Sequence, residues 1–255
     1  MLELPKSPSF RLDGKRALVT GASRGIGLAA TVALADAGAH VVMTARSAES
    51  LGEAALAIRQ TGGSVEILPL DLVHIRTATS TIASQQPFDI LVNNAGAMKL
   101  SPIEDVTEDD FDAILDLDLK SAYFVDQAVI KGMRSTGKRG SIIHISSMLG
   151  HVGGPSRSPY IAAKHGIEGL TKALAVEFGA DGIRVNAICP TAIKTAINAA
   201  ILSDPVRSAW FQGKIPLGRF GSVEDIMGAV LYLASDASSL VTGASLLIDG
   251  GWTAQ

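Results

Sequence analysis

Apolar and polar positions along this chain fall into two alternating kinds of segment. Short apolar runs, rich in β-branched residues, occupy positions 16–20, 40–44, 65–70, 88–92, 141–145, 184–188 and 244–248. They read as buried parallel strands, and the longer alanine- and leucine-rich stretches between them are long enough for helical crossovers. The pattern therefore predicts an α/β fold, a doubly wound seven-stranded parallel sheet flanked by helices. Two helix starts are marked by a hydroxyl three residues before an acid, at Thr107 with Asp110 and at Ser222 with Asp225. Residues 191–221 break the alternation. With Trp210, Phe211 and Pro216 they suggest a small helical lid over the carboxyl edge of the sheet, where ligands of such folds bind.

Composition narrows the class. The chain has 255 residues, 47% hydrophobic and 18% charged, enough apolar material for one sizeable core and no linker that would split it. Residues 1–255 are therefore expected to form a single domain carrying 191–221 as a lid insertion. The formal charge of -3, with acids and bases dispersed, offers no basic face to a nucleic acid. No apolar stretch has the length of a membrane span or a signal core, which points to a soluble, cytoplasmic protein. Cys189 is the sole cysteine, read as packing, and the histidines show no metal-ligand spacing, so no metal is expected.

Candidate chemistry begins directly after the first strand, where Thr20-Gly-Ala-Ser-Arg-Gly-Ile-Gly27 opens an alanine-rich helix ending near Gly38. Gly21 would allow a tight turn, while Gly25 and Gly27 would let the backbone approach a pyrophosphate held at the helix amino terminus. After the second strand stands Ala45-Arg46 rather than an acid. With Arg24 in the loop, two guanidinium groups could flank a 2′-phosphate, so NADP(H) is the expected coenzyme and NAD(H) remains possible.

Further along, Tyr160 and Lys164 are four residues apart (164 − 160) and share one face of a helix. A phenol titrates near 10, and a neighbouring ammonium would favour the phenolate, making Tyr160 a general acid or base. Ser147 follows the strand at 141–145 and could hydrogen-bond a substrate oxygen at the same edge.

Together with Asn93-Asn-Ala-Gly96 and Arg184-Val-Asn-Ala-Ile-Cys-Pro190, these motifs resemble the short-chain dehydrogenase/reductase family from about Leu12 to Trp252. The resemblance implies a Rossmann-type domain that exchanges a hydride between NAD(P) and a small alcohol or carbonyl compound of the sugar, polyol, ketone or 3-oxoacyl class. It also implies a homotetramer or homodimer. Carried over by position, the coenzyme would meet Gly21, Ser23, Arg24, Gly25, Ile26, Gly27, Arg46, Asp71, Leu72, Asn94, Ala95, Tyr160, Lys164, Pro190, Ile193 and Thr195. Asp71 and Leu72 would touch the adenine, Asn94 the adenosine side, and Ile193 and Thr195 the nicotinamide carboxamide or phosphates. Ser147, Tyr160 and Lys164 would be catalytic, with Lys164 lowering the tyrosine's pKa.

Several positions depart from the family pattern or leave a choice. Asp118 stands where the family has an asparagine of a proton relay, and it is counted with the catalytic residues. Its carboxylate would either stabilise the Lys164 ammonium and oppose the phenolate, or stay protonated if buried, or point away and be silent. Thr191 replaces a glycine and restricts the backbone beside the nicotinamide. Arg157 could meet an anionic or polyhydroxylated substrate, a solvated loop arginine being the simpler reading. His151 could line the pocket or lie at the surface, and Trp252 could belong to a subunit contact. Two other functions stay open. One is a catalytically weak dinucleotide-binding or scaffolding protein, motivated by Asp118, and the other a lyase without redox coenzyme.

Overall fold

A computed structural model describes Leu2 and residues 4–254. It contains a seven-stranded, all-parallel sheet in the order β3-β2-β1-β4-β5-β6-β7. The strands are β1 (Arg16–Thr20), β2 (His40–Thr44), β3 (Ser64–Ile67), β4 (Ile90–Asn93), β5 (Gly140–Ile145), β6 (Ile183–Pro190) and β7 (Ser245–Ile248). Alternate residues of a strand face opposite sides of a sheet, and here the two sides feed separate cores. Ala17 and Val19 join one cluster with Leu34, Ala55 and Val230, whereas Leu18 joins the other with Ile82, Val129, Met133 and Leu174. Helices thus cover both faces. Helices α1 (Gly25–Asp36), α2 (Ala48–Gln60) and α9 (Glu224–Ala234) supply the first cluster, and α3 (Ile75–Ala83), α5 (Ser121–Ser135) and α6 (Ser158–Phe178) the second.

Strand order reverses between β1 and β4, because β1 lies between β2 and β4. At such a switch point the connecting helices leave on opposite faces and open a crevice at the carboxyl ends of the strands. Thr20, Asn93, Ile145 and Pro190 all end their strands along that edge. Helix α4 (Glu108–Leu115) starts at the expected Thr107 cap, whose hydroxyl accepts the Asp110 N–H at 3.2 Å. It runs into α5 through a π-helical turn, Asp116–Lys120.

Two sequence expectations are adjusted. Strand β3 stops at Ile67 instead of continuing to residue 70, although the Leu68 and Leu70 N–H groups still reach the Met43 and Ala45 carbonyls at 2.8 and 3.0 Å; Pro69, between them, falls where the N–H would face the open edge of the sheet. Ser222 is not the cap of α9, whose first turn opens at Glu224. The returning half of the box is nevertheless formed, with the Ser222 N–H donating to Asp225 at 2.8 Å. The irregular segment contains two short helices, α7 (Ala199–Leu202) and α8 (Pro205–Gly213), and its ends meet in a single parallel bridge between Ile193 and Gly221.

Candidate active site

The glycine loop sits at the switch point as the sequence suggests, though one glycine serves another purpose. Gly21 (φ +64°) and Gly25 (φ +57°) adopt the left-handed conformation that glycine tolerates. Gly27 does not: a Cβ there would lie 2.2 Å from the Gly21 carbonyl oxygen, so its missing side chain seats α1 against the loop and not against a ligand. Arg24 precedes α1 without a side-chain cap, and the first turn has no acid, leaving backbone N–H groups open to an anion. The loop is anchored from β4. The Asn94 side chain donates to the Thr20 carbonyl at 2.9 Å, and the Asn94 and Ala95 N–H groups both donate to the Thr20 hydroxyl at 2.9 Å. Asn94 thus braces the loop from behind, a role that its carry-over as an adenosine contact does not describe. Arg24 and Arg46 are exposed, and among the described residues neither is paired with an acid. Asp71 is half-buried and accepts the Val73 N–H at 3.2 Å, beside buried Leu72.

Across the edge, β5 delivers Ser147 through a short 3-10 turn that it caps, accepting the Leu149 N–H at 3.1 Å. Helix α6 presents Tyr160, half-buried, and Lys164, buried, on the same face, with Ser147 near enough to act on the phenol and lower its pKa. The Lys164 Nζ lies 5.4 Å from the phenol ring centroid and donates to the Ile145 carbonyl at 3.1 Å. The open question about Asp118 is answered by geometry. The π-turn between α4 and α5 aims its carboxylate inward, with Oδ2 at 3.2 Å from Lys164 Nζ and Oδ1 accepting the Ala97 N–H at 2.7 Å. Asp118 is 2% exposed, so this is a buried ion pair.

Charge balance follows. Burial pushes the Asp118 carboxyl above the usual carboxylate range, although Lys164 and the Ala97 N–H pull the other way. Burial works against the Lys164 ammonium too, but Asp118 and Tyr160 outweigh it and hold its pKa above the ordinary lysine value. For Tyr160, burial raises the phenol, Lys164 lowers it, Asp118 raises it, and the sum is upward. This corrects the expectation of a phenol lowered into the neutral range. Lys164 pulls in the anticipated direction and is outweighed by desolvation and by the adjacent carboxylate.

Sequence reasoning missed two polar clusters. Beneath the crevice Thr20, Asn93, Asp126, His144 and Thr171 form a chain of buried hydrogen bonds, with Asp126 to His144 at 2.9 Å and His144 to Thr171 at 2.8 Å. One turn beyond Lys164, the ligand atoms of Glu168, Cys189 and His151 lie within 4.8 Å of one another. Cys189 donates to Glu168 at 3.2 Å, and burial pushes its thiol pKa up, as suits the packing role expected of it. Residues so far apart in sequence leave no spacing signal. Thr191 Oγ1 and Ser146 Oγ, both buried at this edge, have no hydrogen-bond partner. The 191–221 segment packs Phe211, Ile215 and Phe220 into a small core with Trp252 against it, at 5.4 Å from Phe211.

A family model described as enoyl-(acyl carrier protein) reductase matches residues 21–253. The chain is 37% identical to gluconate 5-dehydrogenase of Gluconobacter oxydans over 96% of each chain, and 38% identical to L-xylulose reductase of Bos taurus over 96% of this chain and 99% of that one. The chain belongs to the short-chain dehydrogenase/reductase family. A gluconate 5-dehydrogenase from Burkholderia cenocepacia, solved in complex with NADP and tartrate, superposes with a TM-score of 0.93 at 36% identity, covering 96% of this chain and 98% of that one. The protein is accordingly an NAD(P)-dependent oxidoreductase that interconverts an alcohol and a carbonyl. This sets aside the scaffolding and lyase readings. Its crevice fits a dinucleotide: the uncapped start of α1 faces the edge, and buried Thr191 Oγ1 lacks a partner there. No helix among the described residues is long and apolar enough to cross a membrane.

Proposed function

We propose that this oxidoreductase prefers NADP(H) and acts on a small polyhydroxylated substrate of the sugar or polyol class, with Ser147, Tyr160 and Lys164 as its catalytic residues. The observation that carries the reading is the phenol of Tyr160 between the Ser147 hydroxyl and the Lys164 ammonium, at the edge where the glycine loop lies. The nicotinamide coenzyme, when bound, accepts or supplies the hydride of the reacting carbon. Ser147 and Tyr160 hydrogen-bond the substrate oxygen, and Tyr160 gives it a proton as the carbonyl is reduced or takes one as the alcohol is oxidised. With its pKa held up, Tyr160 rests as the neutral phenol, the form that donates.

Gly21, Ser23, Gly25 and Ile26 would hold the pyrophosphate with the start of α1, which Gly27 seats against the loop, and Asp71, Leu72, Asn94 and Ala95 would line the adenosine side. Pro190, Ile193 and Thr195 would flank the nicotinamide. Thr195 is well placed for this, since its methyl lies 3.4 Å from where a Gly25 Cβ would stand. Arg24 and Arg46, both exposed and unpaired with acid, support a 2′-phosphate contact and hence NADP(H). The sugar and polyol names of the relatives support the substrate class. We read residues 191–221 as the lid of this site and the protein as a homo-oligomer. The second inference is supported by the apolar strip of Leu115, Leu119, Tyr123, Phe124 and Leu170 on α4–α6.

The reading is tested by following NADPH absorbance with a panel of ketoses, keto-acids and diketones. Tyr160→Phe is expected to retain coenzyme binding and to lose turnover by about 10²–10⁴-fold. A variant as fast as the parent, or no uptake of either coenzyme by calorimetry, overturns it.

A further inference from the structure

Arg157 is 8% exposed, whereas the sequence suggests a solvated loop arginine. It stands immediately before α6, three residues ahead of Tyr160 (160 − 157), near enough for the phenol and the guanidinium to act on each other. Its Nε donates to the Pro155 carbonyl at 3.1 Å, and the guanidinium lies over the ring of Phe211 from the lid at 5.4 Å. No carboxylate among the described residues pairs with it. Its ionisable neighbours are the phenol of Tyr160 and a second cation, Arg207 of α8, which is itself held by Asp204 at 3.3 Å.

A buried cation without a counter-ion is costly, and a second cation facing it adds to the cost. Such an arrangement persists where a bound anion repays it. The backbone points the same way. Ser156, which delivers Arg157, is the sole described residue other than glycine at positive φ, +58°, a conformation that is kept where the surroundings demand it. Its carbonyl is fixed by the Ser101 N–H at 2.9 Å. Packing on Phe211 orients the guanidinium plane and leaves its two terminal amino groups free for the two oxygens of a carboxylate.

We infer that Arg157 is the anion-binding residue of the substrate cleft and receives a substrate carboxylate, so that sugar acids, as aldonates or their keto forms, are preferred over neutral sugars and polyols. The inference rests on the proposed Ser147–Tyr160 site, since the anion is held one helical turn from the reacting oxygen. The lid contributes through Phe211, which stacks on the guanidinium only when the lid lies closed over α6.

The test compares D-gluconate with its neutral counterpart D-glucitol, and a short series of other aldonate and alditol pairs, each with NADP+. The wild-type protein is expected to favour the acid of a pair. Arg157→Gln should lower kcat/KM for the acid by about 100-fold, mainly through KM, while the alditol changes less than about threefold. Arg157→Lys keeps the charge without the planar fork and should fall between the two. Equal losses on acid and alditol, no loss on either, or a wild-type protein that turns over alditols alone or neither series would overturn the inference. Failure here, with Tyr160→Phe inactive and NADPH bound, leaves the catalytic reading standing. Activity that survives Tyr160→Phe removes that reading whatever Arg157 does.

Discussion

Two buried cations stand at the start of α6, Arg157 just before the helix and Lys164 in its second turn, and their surroundings differ. Lys164 has a carboxylate at 3.2 Å and a backbone carbonyl at 3.1 Å, while Arg157 has one carbonyl and an aromatic face. The first is satisfied within the chain and is a fixed part. The second is complete only with something from outside. Partnering thus separates a residue that holds machinery in place from one kept ready for a ligand, where charge, burial and helix position do not.

The largest effect expected from breaking this contrast is that of Lys164→Met. It removes the ammonium beside the phenol and strands the Asp118 carboxylate, so stability should fall by about 3–5 kcal/mol in a urea titration. Arg157→Gln removes a charge with no partner and should stay within about 1 kcal/mol of wild type, the stacking on Phe211 being of that size. If the two variants unfold alike, the contrast is void.

A smaller effect separates the two members of the ion pair. Asp118→Asn removes the anion that raises the Tyr160 pKa, so the ascending limb of alcohol oxidation, which reports formation of the phenolate, should move toward acid in a pH–rate profile. Turnover at the optimum should change by less than about tenfold, because the phenol and ammonium remain. An unmoved limb would assign Asp118 to packing alone.

The smallest concerns stability in acid. Asp118 has a raised pKa, so its contribution is complete below the unfolded carboxylate value and fades as pH rises through the folded one; it cannot cause acid unfolding. Asp249 is the opposite case. Burial raises it, but the hydrogen bonds from the Thr253 side chain and N–H and the Gly251 N–H outweigh this and hold it below the ordinary range. Its contribution is present above about pH 4 and fades as pH falls. Asp249→Asn should therefore narrow the difference in melting temperature between pH 7 and pH 3, and an unchanged difference would remove Asp249 from the account.

Much of this was legible in the sequence, because strands buried on both faces announce themselves locally. β1 and β2 lie where the apolar runs put them, and the glycine loop, Ser147, Tyr160 and Lys164 meet at one edge. What escaped depends on contacts distant along the chain. Arg157 is buried by Phe211, and the purpose of Gly27 is set by the Gly21 carbonyl across a turn. The inward aim of Asp118 needs a π-turn that its apolar and acidic neighbours do not advertise. The net upward shift of Tyr160 needs the depth of burial as well as the neighbouring ammonium.

The single bridge between Ile193 and Gly221 has a further consequence. Because the segment leaves and re-enters the body at one point, the entropy of closing it is largely independent of what it contains, rising only slowly with its length. Such a segment behaves as a cassette: natural or engineered replacement of the stretch beyond Thr195 would exchange the appetite of the enzyme for another while the seven strands and the hydride chemistry stay untouched.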